Sequence, residues 1–443
     1  MKRAESLLEI KAVTRPNPLE GEELEAFYVL TDTARNPYLP ASRALSDYLR
    51  ETPPPCRLLF SSHTGAGKST ELNRLMKDAS ENFWFVLLDV QKELDLATLT
   101  HIDLVIAIIE AVYKQGHEAK LIKDKKIIEP VREWMSEIIR ESRIGREEEL
   151  TIEAGAELDK LLTHVVGLLA KLRSALRLSA ESARIVRQVI QPRIAELRDH
   201  CNKVLIEVSK QLQKHSPARR LLVIIENTDK LDVPLATDLF VNHTGLLTEL
   251  ETSVIYTAPI YLVHSPDRAR LKNYFEIRTL PMIKTYTMQG EKSNPGWEIL
   301  REIVARRINT DKLIEPQALD LAIEKTGGVI RDLLHVIQIA SEVAYYANEP
   351  RISKSAVEYS LNQLKGDYRN SIVGRGNVTT EQLYVKMRTI AESRSRRVPP
   401  DDTLQLLLYT QAVLEYNGEG WYDLHPLMRE TLRDMGYLNE LVR

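Results

Sequence analysis

The sequence predicts an α/β protein: a doubly wound parallel sheet with a helical insertion, a helical lid and a C-terminal winged helix. Three observations carry this expectation. Largely apolar runs recur at residues 56–60, 83–90, 221–225 and 253–258, as buried parallel strands require. Residues 117–215 show long amphipathic helical patterns and no strand signal. The first apolar run leads into a glycine-bearing loop and then a helix, the context in which a phosphate-binding P-loop is credible.

Residues 1–55 read as a lead-in to the sheet. Asn17-Pro18-Leu19-Glu20-Gly21-Glu22-Glu23 is turn-rich and acidic, and Phe27-Tyr28-Val29-Leu30 is a candidate apolar edge. Ala44, Leu45, Tyr48 and Leu49 have helical spacing, and Pro53-Pro54-Pro55 stops that helix. The apolar run Cys56-Arg57-Leu58-Leu59-Phe60 is the next strand, followed by Ser61-Ser62-His63-Thr64-Gly65-Ala66-Gly67-Lys68-Ser69-Thr70. Gly65 and Gly67 let backbone N–H groups turn inward toward phosphate oxygens, at a helix N-terminus that already favours anions. Thr64, Gly65, Ala66, Gly67, Lys68, Ser69 and Thr70 are the expected phosphate ligands. Lys68 suits the β- and γ-phosphates, Ser69 a Mg²⁺ ion, and Thr70 the α-phosphate. Ser62 stands where the strict motif begins with glycine; the inner glycines and the Lys-Ser pair are unaffected.

Beyond the P-loop helix, residues 83–90 read as another fully buried strand and residues 102–112 as a helix. In the insertion, Leu158, Leu162, Val165, Leu169, Leu172 and Leu176 form one seam; Ile190, Ile194, Leu197, Cys201, Val204 and Val208 form a second. Two such seams fit a coiled-coil arm or a helical subdomain folded onto the core, and the second is favoured. Lys171, Arg173 and Arg177 beside the first seam are too few cations for a membrane surface. The sheet resumes at 221–225, 253–258 and 275–281. Residues 295–364 are helical, broken at Gly327-Gly328, and Asn417-Gly418 between aromatic and aliphatic residues signals a hairpin. Helices, a hairpin and a last helix at 427–435 make the winged helix. The expected domains are a lead-in at 1–55, a core at 56–116 and 216–290, the insertion at 117–215, a lid at 291–365 and the winged helix at 366–443.

With 43% hydrophobic and 28% charged residues the composition is that of an ordinary globular protein. The net charge of −3 makes no whole-chain case for nucleic-acid binding. Two cysteines, Cys56 and Cys201, give no disulfide framework or zinc site and suit a reducing, cytoplasmic setting. The N-terminus does not read as a secretory signal, and no run of about 18 apolar residues would span a membrane.

A P-loop implies phosphate; a carboxylate at the end of a neighbouring parallel strand implies a nucleotide with its metal. Glu226 ends the 221–225 strand, with Asp229 three residues on; the alternative is that both cap the next helix. Asn227 follows Glu226, and an amide is no general base, so hydrolysis is expected to be slow unless Asp229 or Glu226 substitutes.

This motif order resembles the AAA+ and STAND branches of P-loop ATPases, including prokaryotic signalling and defence proteins. It is carried by residues 63–70, by Val223-Ile224-Ile225-Glu226-Asn227-Thr228-Asp229-Lys230-Leu231, by Ile255-Tyr256-Thr257-Ala258-Pro259 and by Thr326-Gly327-Gly328-Val329-Ile330-Arg331-Asp332-Leu333-Leu334. The resemblance implies ATP and Mg²⁺, with Ser69 and Glu226 at the metal. It implies a polar sensor at Thr257, a γ-phosphate-reading arginine at Arg331, and an arginine finger toward a neighbouring subunit at Arg268 or Arg270. In such proteins a lead-in often contacts the base, and the absence of an Asn-Lys-x-Asp stretch leans toward adenine. The winged helix is then either a DNA reader, helped by Arg394, Arg396 and Arg397, or an internal latch. The wing's Glu415 and Glu419, with no lysine or arginine in residues 415–419, favour the latch. The expected function is a slowly turning ATPase switch, homo-oligomeric, acting on a separate effector protein and without a membrane. The alternative is an initiator- or transposition-type ATPase that remodels DNA; a third reading is a scaffold that binds ATP without turnover.

Overall fold

The computed structural model describes residues 2–36, 38, 40–144, 157–216, 219–393, 395–416 and 421–439. Five strands form one parallel sheet: β1 (Arg57–Ser62), β2 (Phe83–Asp89), β3 (Arg220–Glu226), β4 (Ser253–Pro259) and β5 (Glu276–Thr279). Their order is β2-β3-β4-β1-β5, so the strand feeding the P-loop lies inside the sheet. β1, β3 and β4 are buried almost throughout, as their apolar runs predict.

β2 departs from its expectation. It is an edge strand and not fully buried: Trp84 and Phe85 are half-buried and Leu87 is 38% exposed. An apolar run records covering on both faces, but not whether a neighbour pairs on both sides. The expected apolar edge at Phe27-Tyr28-Val29-Leu30 is not a strand either. Phe27 ends a helix, Gly21–Phe27, and Val29 is buried beyond it. β5 is shorter than the 275–281 run.

The insertion is folded onto the core. Helix Leu158–Leu178 packs on His101–Glu118, which itself packs on Ile194–His215 and β2. Along the first helix Leu162, Val165, Leu169, Leu172 and Leu176 are buried, and Leu197, Cys201, Val204 and Val208 are buried along the last. Ion pairs lock the same interface: Arg187 Nη2 lies 2.6 Å from Asp103 Oδ2, and Arg173 Nε donates to Glu110 Oε2 at 2.5 Å. The seams thus serve intramolecular packing, which supplies most helix stability in a protein.

After the sheet come helices Asn294–Arg307, Pro316–Lys325, Ile330–Tyr346 and Lys354–Ser371. Helices Thr380–Glu392 and Asp402–Tyr409, the antiparallel hairpin β6 (Val413–Tyr416) and β7 (Trp421–Leu424), and helix Pro426–Asp434 complete the winged helix. The predicted Asn417-Gly418 turn lies outside the described residues, as does Arg394. Among the described residues no helix is long and apolar enough to cross a membrane.

Candidate nucleotide site

β1 ends at Ser62 and helix Lys68–Asp78 begins within six residues, so the intervening backbone must turn sharply. Gly65 and Gly67 take φ of +82° and +101°, the left-handed region that residues with a Cβ avoid. A Cβ on Gly65 would also stand 2.7 Å from Arg331 Cβ. The loop therefore presents the first amides of the helix to a cavity of about 470 Å³.

That cavity lies at the C-terminal ends of the parallel strands, where an open α/β sheet binds its ligands. Thr64, Gly65, Gly67, Lys68, Ser69 and Thr70 line it; Ala66 is buried against Leu414, Tyr416 and Trp421 of the winged helix. Glu226 and Asp89 close neighbouring strands in register and face the cavity at the same level. Burial pushes the Glu226 carboxyl up, while a hydrogen bond with Ser69 and the charge of Lys68 pull it back. Its Oε1 is buried with no hydrogen-bond partner, so the site holds an unsatisfied carboxyl oxygen beside Ser69. Lys68 and Asp229 form an ion pair with both side chains under a tenth exposed. An ammonium has three donors, so Lys68 can keep Asp229 and still reach an incoming anion.

These features fit a metal-bound nucleoside triphosphate: a glycine cradle, a buried lysine, and a hydroxyl paired with an unsatisfied carboxylate. Among the described residues no cluster of three or more His, Cys, Asp or Glu could hold a metal ion by itself, so phosphate oxygens would have to complete its shell.

Arg331 lines the cavity, and its amide donates to the Gly65 carbonyl at 3.2 Å. Thr257 does not line it. Its side chain is fully buried, its carbonyl accepts from the Thr228 hydroxyl, and the two hydroxyls lie 3.2 Å apart. Arg268 and Arg270 also lie away from it; the first donates to the Val263 carbonyl and the second lies 3.3 Å from Asp267.

Several residues at the site are not legible in the motifs. The lead-in wraps the P-loop helix: the Leu19 amide donates to Thr70 Oγ1 at 3.2 Å, and Asn73 Nδ2 donates to the Leu19 carbonyl at 3.0 Å. Tyr28 bonds Glu71 at 3.1 Å, and Leu19, Phe27, Val29 and Ile330 give this end of the cavity an apolar lining suited to a base. Arg35 is 2% exposed and donates to Thr31 Oγ1 (2.7 Å), the Ala66 carbonyl (2.5 Å) and the Pro281 carbonyl. Burial lowers its pKa, with Glu71 the first charge that opposes the shift. No local pattern marks Arg35; it sits on the four-residue helix Asp32–Arg35.

The winged helix also reaches the P-loop. The Glu415 amide donates to His63 Nε2 at 2.8 Å, and Gln411 Nε2 donates to the Thr64 carbonyl at 2.6 Å. Accepting at Nε2 requires neutral His63, and burial, followed by the charges of His264 and His425, holds its pKa down to about 3. Tyr416 donates to the Gly327 carbonyl at 3.0 Å, and Trp421 stacks on Tyr416 at 4.7 Å.

No protein-family model matches the chain, and no curated protein matches it significantly. Among solved structures it is similar to the Aeropyrum pernix ORC1 protein in complex with DNA, at 13% identity and a TM-score of 0.39, covering 96% of this chain and 97% of that one. It is similar to the Aeropyrum pernix ORC2 protein in ADPNP-ADP complexes, at 13% identity and a TM-score of 0.39, covering 96% and 98%. It is also similar to Cdc6p from Pyrobaculum aerophilum, at 12% identity and a TM-score of 0.34, covering 98% and 99%.

Proposed function

We propose that the chain is an ATP-binding, slowly hydrolysing ATPase of AAA+/STAND type, working as a nucleotide-driven switch of conformation and oligomeric state. The supporting observation is that three consecutive P-loop residues are held from the C-terminal half: His63 by the Glu415 amide, Thr64 by Gln411 and Gly65 by the Arg331 amide. The loop that would cradle phosphates is thus the loop that lid and winged helix grip. A ligand shifts a conformational equilibrium only by interacting differently with its two states, and a shared loop supplies that difference.

In this reading the amides of residues 64–70 and Lys68 bind phosphates, and Ser69 and Glu226 hold Mg²⁺. The metal, when bound, would neutralise charge on the β- and γ-phosphates. Asp229 orients Lys68 and Arg331 reads the γ-phosphate; Thr257, buried off the cavity, is given no direct contact with it. Arg268 and Arg270 are proposed to meet a neighbouring subunit. The domain division, a separate effector, a role in prokaryotic defence or signalling and a cytoplasmic setting belong to the same proposal. The last accords with two buried free thiols.

Mass photometry with ATP, ADP and no nucleotide tests the switch. A mass or hairpin hydrogen-exchange pattern that changes with nucleotide is expected; identical behaviour in all three conditions sinks it.

The second reading is an initiator-type ATPase that binds and remodels DNA, since the C-terminal helices and hairpin form a winged helix, a unit that can set a helix against a DNA groove. The surface chemistry weighs against it. The helix before the wing, Asp402–Tyr409, has no lysine or arginine and packs on Ile260–Val263, with Tyr261 edge-on to Tyr409 at 5.7 Å. Arg396 is paired with Asp423. A duplex gel shift at physiological salt decides: salt-sensitive retention favours DNA, and none favours the latch.

A further inference from the structure

Hydrolysis needs a group that takes a proton from water, and Asn227, next to Glu226, cannot do so. The cavity holds other carboxylates, and most are committed. Asp229 is ion-paired with Lys68, Glu226 stands beside Ser69, and Glu71 bonds Tyr28. Asp89 remains. It closes β2 in register with Glu226, lines the same cavity, and accepts from Asn227 Nδ2 at 2.6 Å. The backbone helps: Asn227 adopts φ +70°, which an asparagine tolerates better than most residues, and its amide reaches across to the neighbouring strand. Asp89 Oδ1 also caps the next turn by accepting from the Gln91 amide at 3.1 Å. Oδ2 has Lys92 at 3.2 Å, whose side chain is largely exposed, and so keeps acceptor capacity toward the cavity.

We propose that Asp89 is the general base for hydrolysis at this site, and that Asn227 is a positioning residue that aims it. The inference rests on the ATPase reading above. In the step, Asp89 takes one proton from a water molecule as the water oxygen forms a bond to the γ-phosphorus. The bond from that phosphorus to the β,γ-bridging oxygen breaks, and its electron pair leaves with ADP. The proton passes from Asp89 to the phosphate product or to solvent. No further reactant is consumed.

The test compares Asp89→Asn, Asn227→Ala and the double exchange Asp89→Asn/Asn227→Asp in the full chain. Phosphate release, binding of a fluorescent ATP analogue, and melting without nucleotide are measured for each. Asp89→Asn keeps an acceptor for Asn227 and loses only the carboxylate. It should lower kcat by about 100-fold or more, with analogue affinity within about threefold and melting little changed. Asn227→Ala keeps the carboxylate but not its support, so kcat should fall less, about 10-fold, with lowered melting. The double exchange returns a carboxylate to the pair and should recover at least about 10-fold of the activity lost.

Asp89→Asn turning over like wild type, or less impaired than Asn227→Ala, overturns the assignment and leaves the ATPase reading standing. Wild-type protein that binds the analogue yet releases no phosphate overturns both this base and the hydrolytic part of that reading.

Discussion

Acidification should loosen the winged helix from the P-loop, and the size of the effect follows from one histidine. His63 Nε2 accepts from the Glu415 amide, so a proton there removes the bond and sets two N–H groups against each other. The neighbouring titratable groups are His264 and Glu415, 3.9 Å apart, with Tyr422 3.1 Å from His264 and His425 adding charge to His63. His63 is held down to about 3 when folded, against about 6.5 for a free histidine. A depressed folded pKa means the contact is at full strength above the free value and is lost as pH falls from there toward the folded one. Between pH 7.5 and 5.5 the linkage amounts to about 1.4 kcal/mol for this residue, roughly a tenfold increase in hairpin opening. His264, also held to about 3 by burial and then Arg268, should act in the same direction. The perturbation is best read as a difference. His63→Gln retains an acceptor in place of Nε2 and does not titrate. Hydrogen exchange across Val413–Tyr416, corrected for intrinsic rates, should accelerate with acidification about tenfold more in wild type than in His63→Gln. Equal acceleration in the two proteins would show that His63 does not couple pH to the hairpin.

Other outcomes follow from single contacts. Lys68→Ala should weaken nucleotide binding by about 10- to 100-fold in calorimetry, the loss of a charged hydrogen bond. It should also lower the melting temperature, because Asp229 keeps its burial and loses its cation. Gly65→Ala forces a Cβ into left-handed backbone, 2.7 Å from Arg331 Cβ. A cost of about 2 kcal/mol should appear as roughly 30-fold faster exchange at residues 329–333. Arg187→Ala strands Asp103, whose side chain is 2% exposed, and should destabilise the insertion by about 3–5 kcal/mol in denaturant unfolding at pH 7. A loss under 1 kcal/mol would mean that the pair is dispensable.

Local signals carried much of the fold. The P-loop, the strands ending at Ser62, Glu226 and Pro259, and the buried seams of the insertion all write their constraint into adjacent residues. Edge position is different: Leu87 lies in an apolar run like those of β3 and β4, yet at the sheet edge and on the cavity wall it is exposed. The same distinction holds at the site. Lys68, Ser69 and Glu226 announce themselves by spacing, whereas Arg35 and Gln411 reach the P-loop from 31 and 347 residues away in sequence. Asp89 lies between. As the last residue of a parallel strand it stood where ligands gather, by the rule that singled out Glu226, but its partner Asn227 is 138 residues distant.

A structure determined with Mg²⁺ and a non-hydrolysable ATP analogue asks whether the cavity between Lys68 and Glu226 receives a triphosphate with its metal. Phosphates are expected on the amides of residues 65–70, with the Lys68 ammonium on the β- and γ-oxygens and the metal held by Ser69 and Glu226. An analogue bound elsewhere, or no analogue at saturating concentration, would contradict the proposed site.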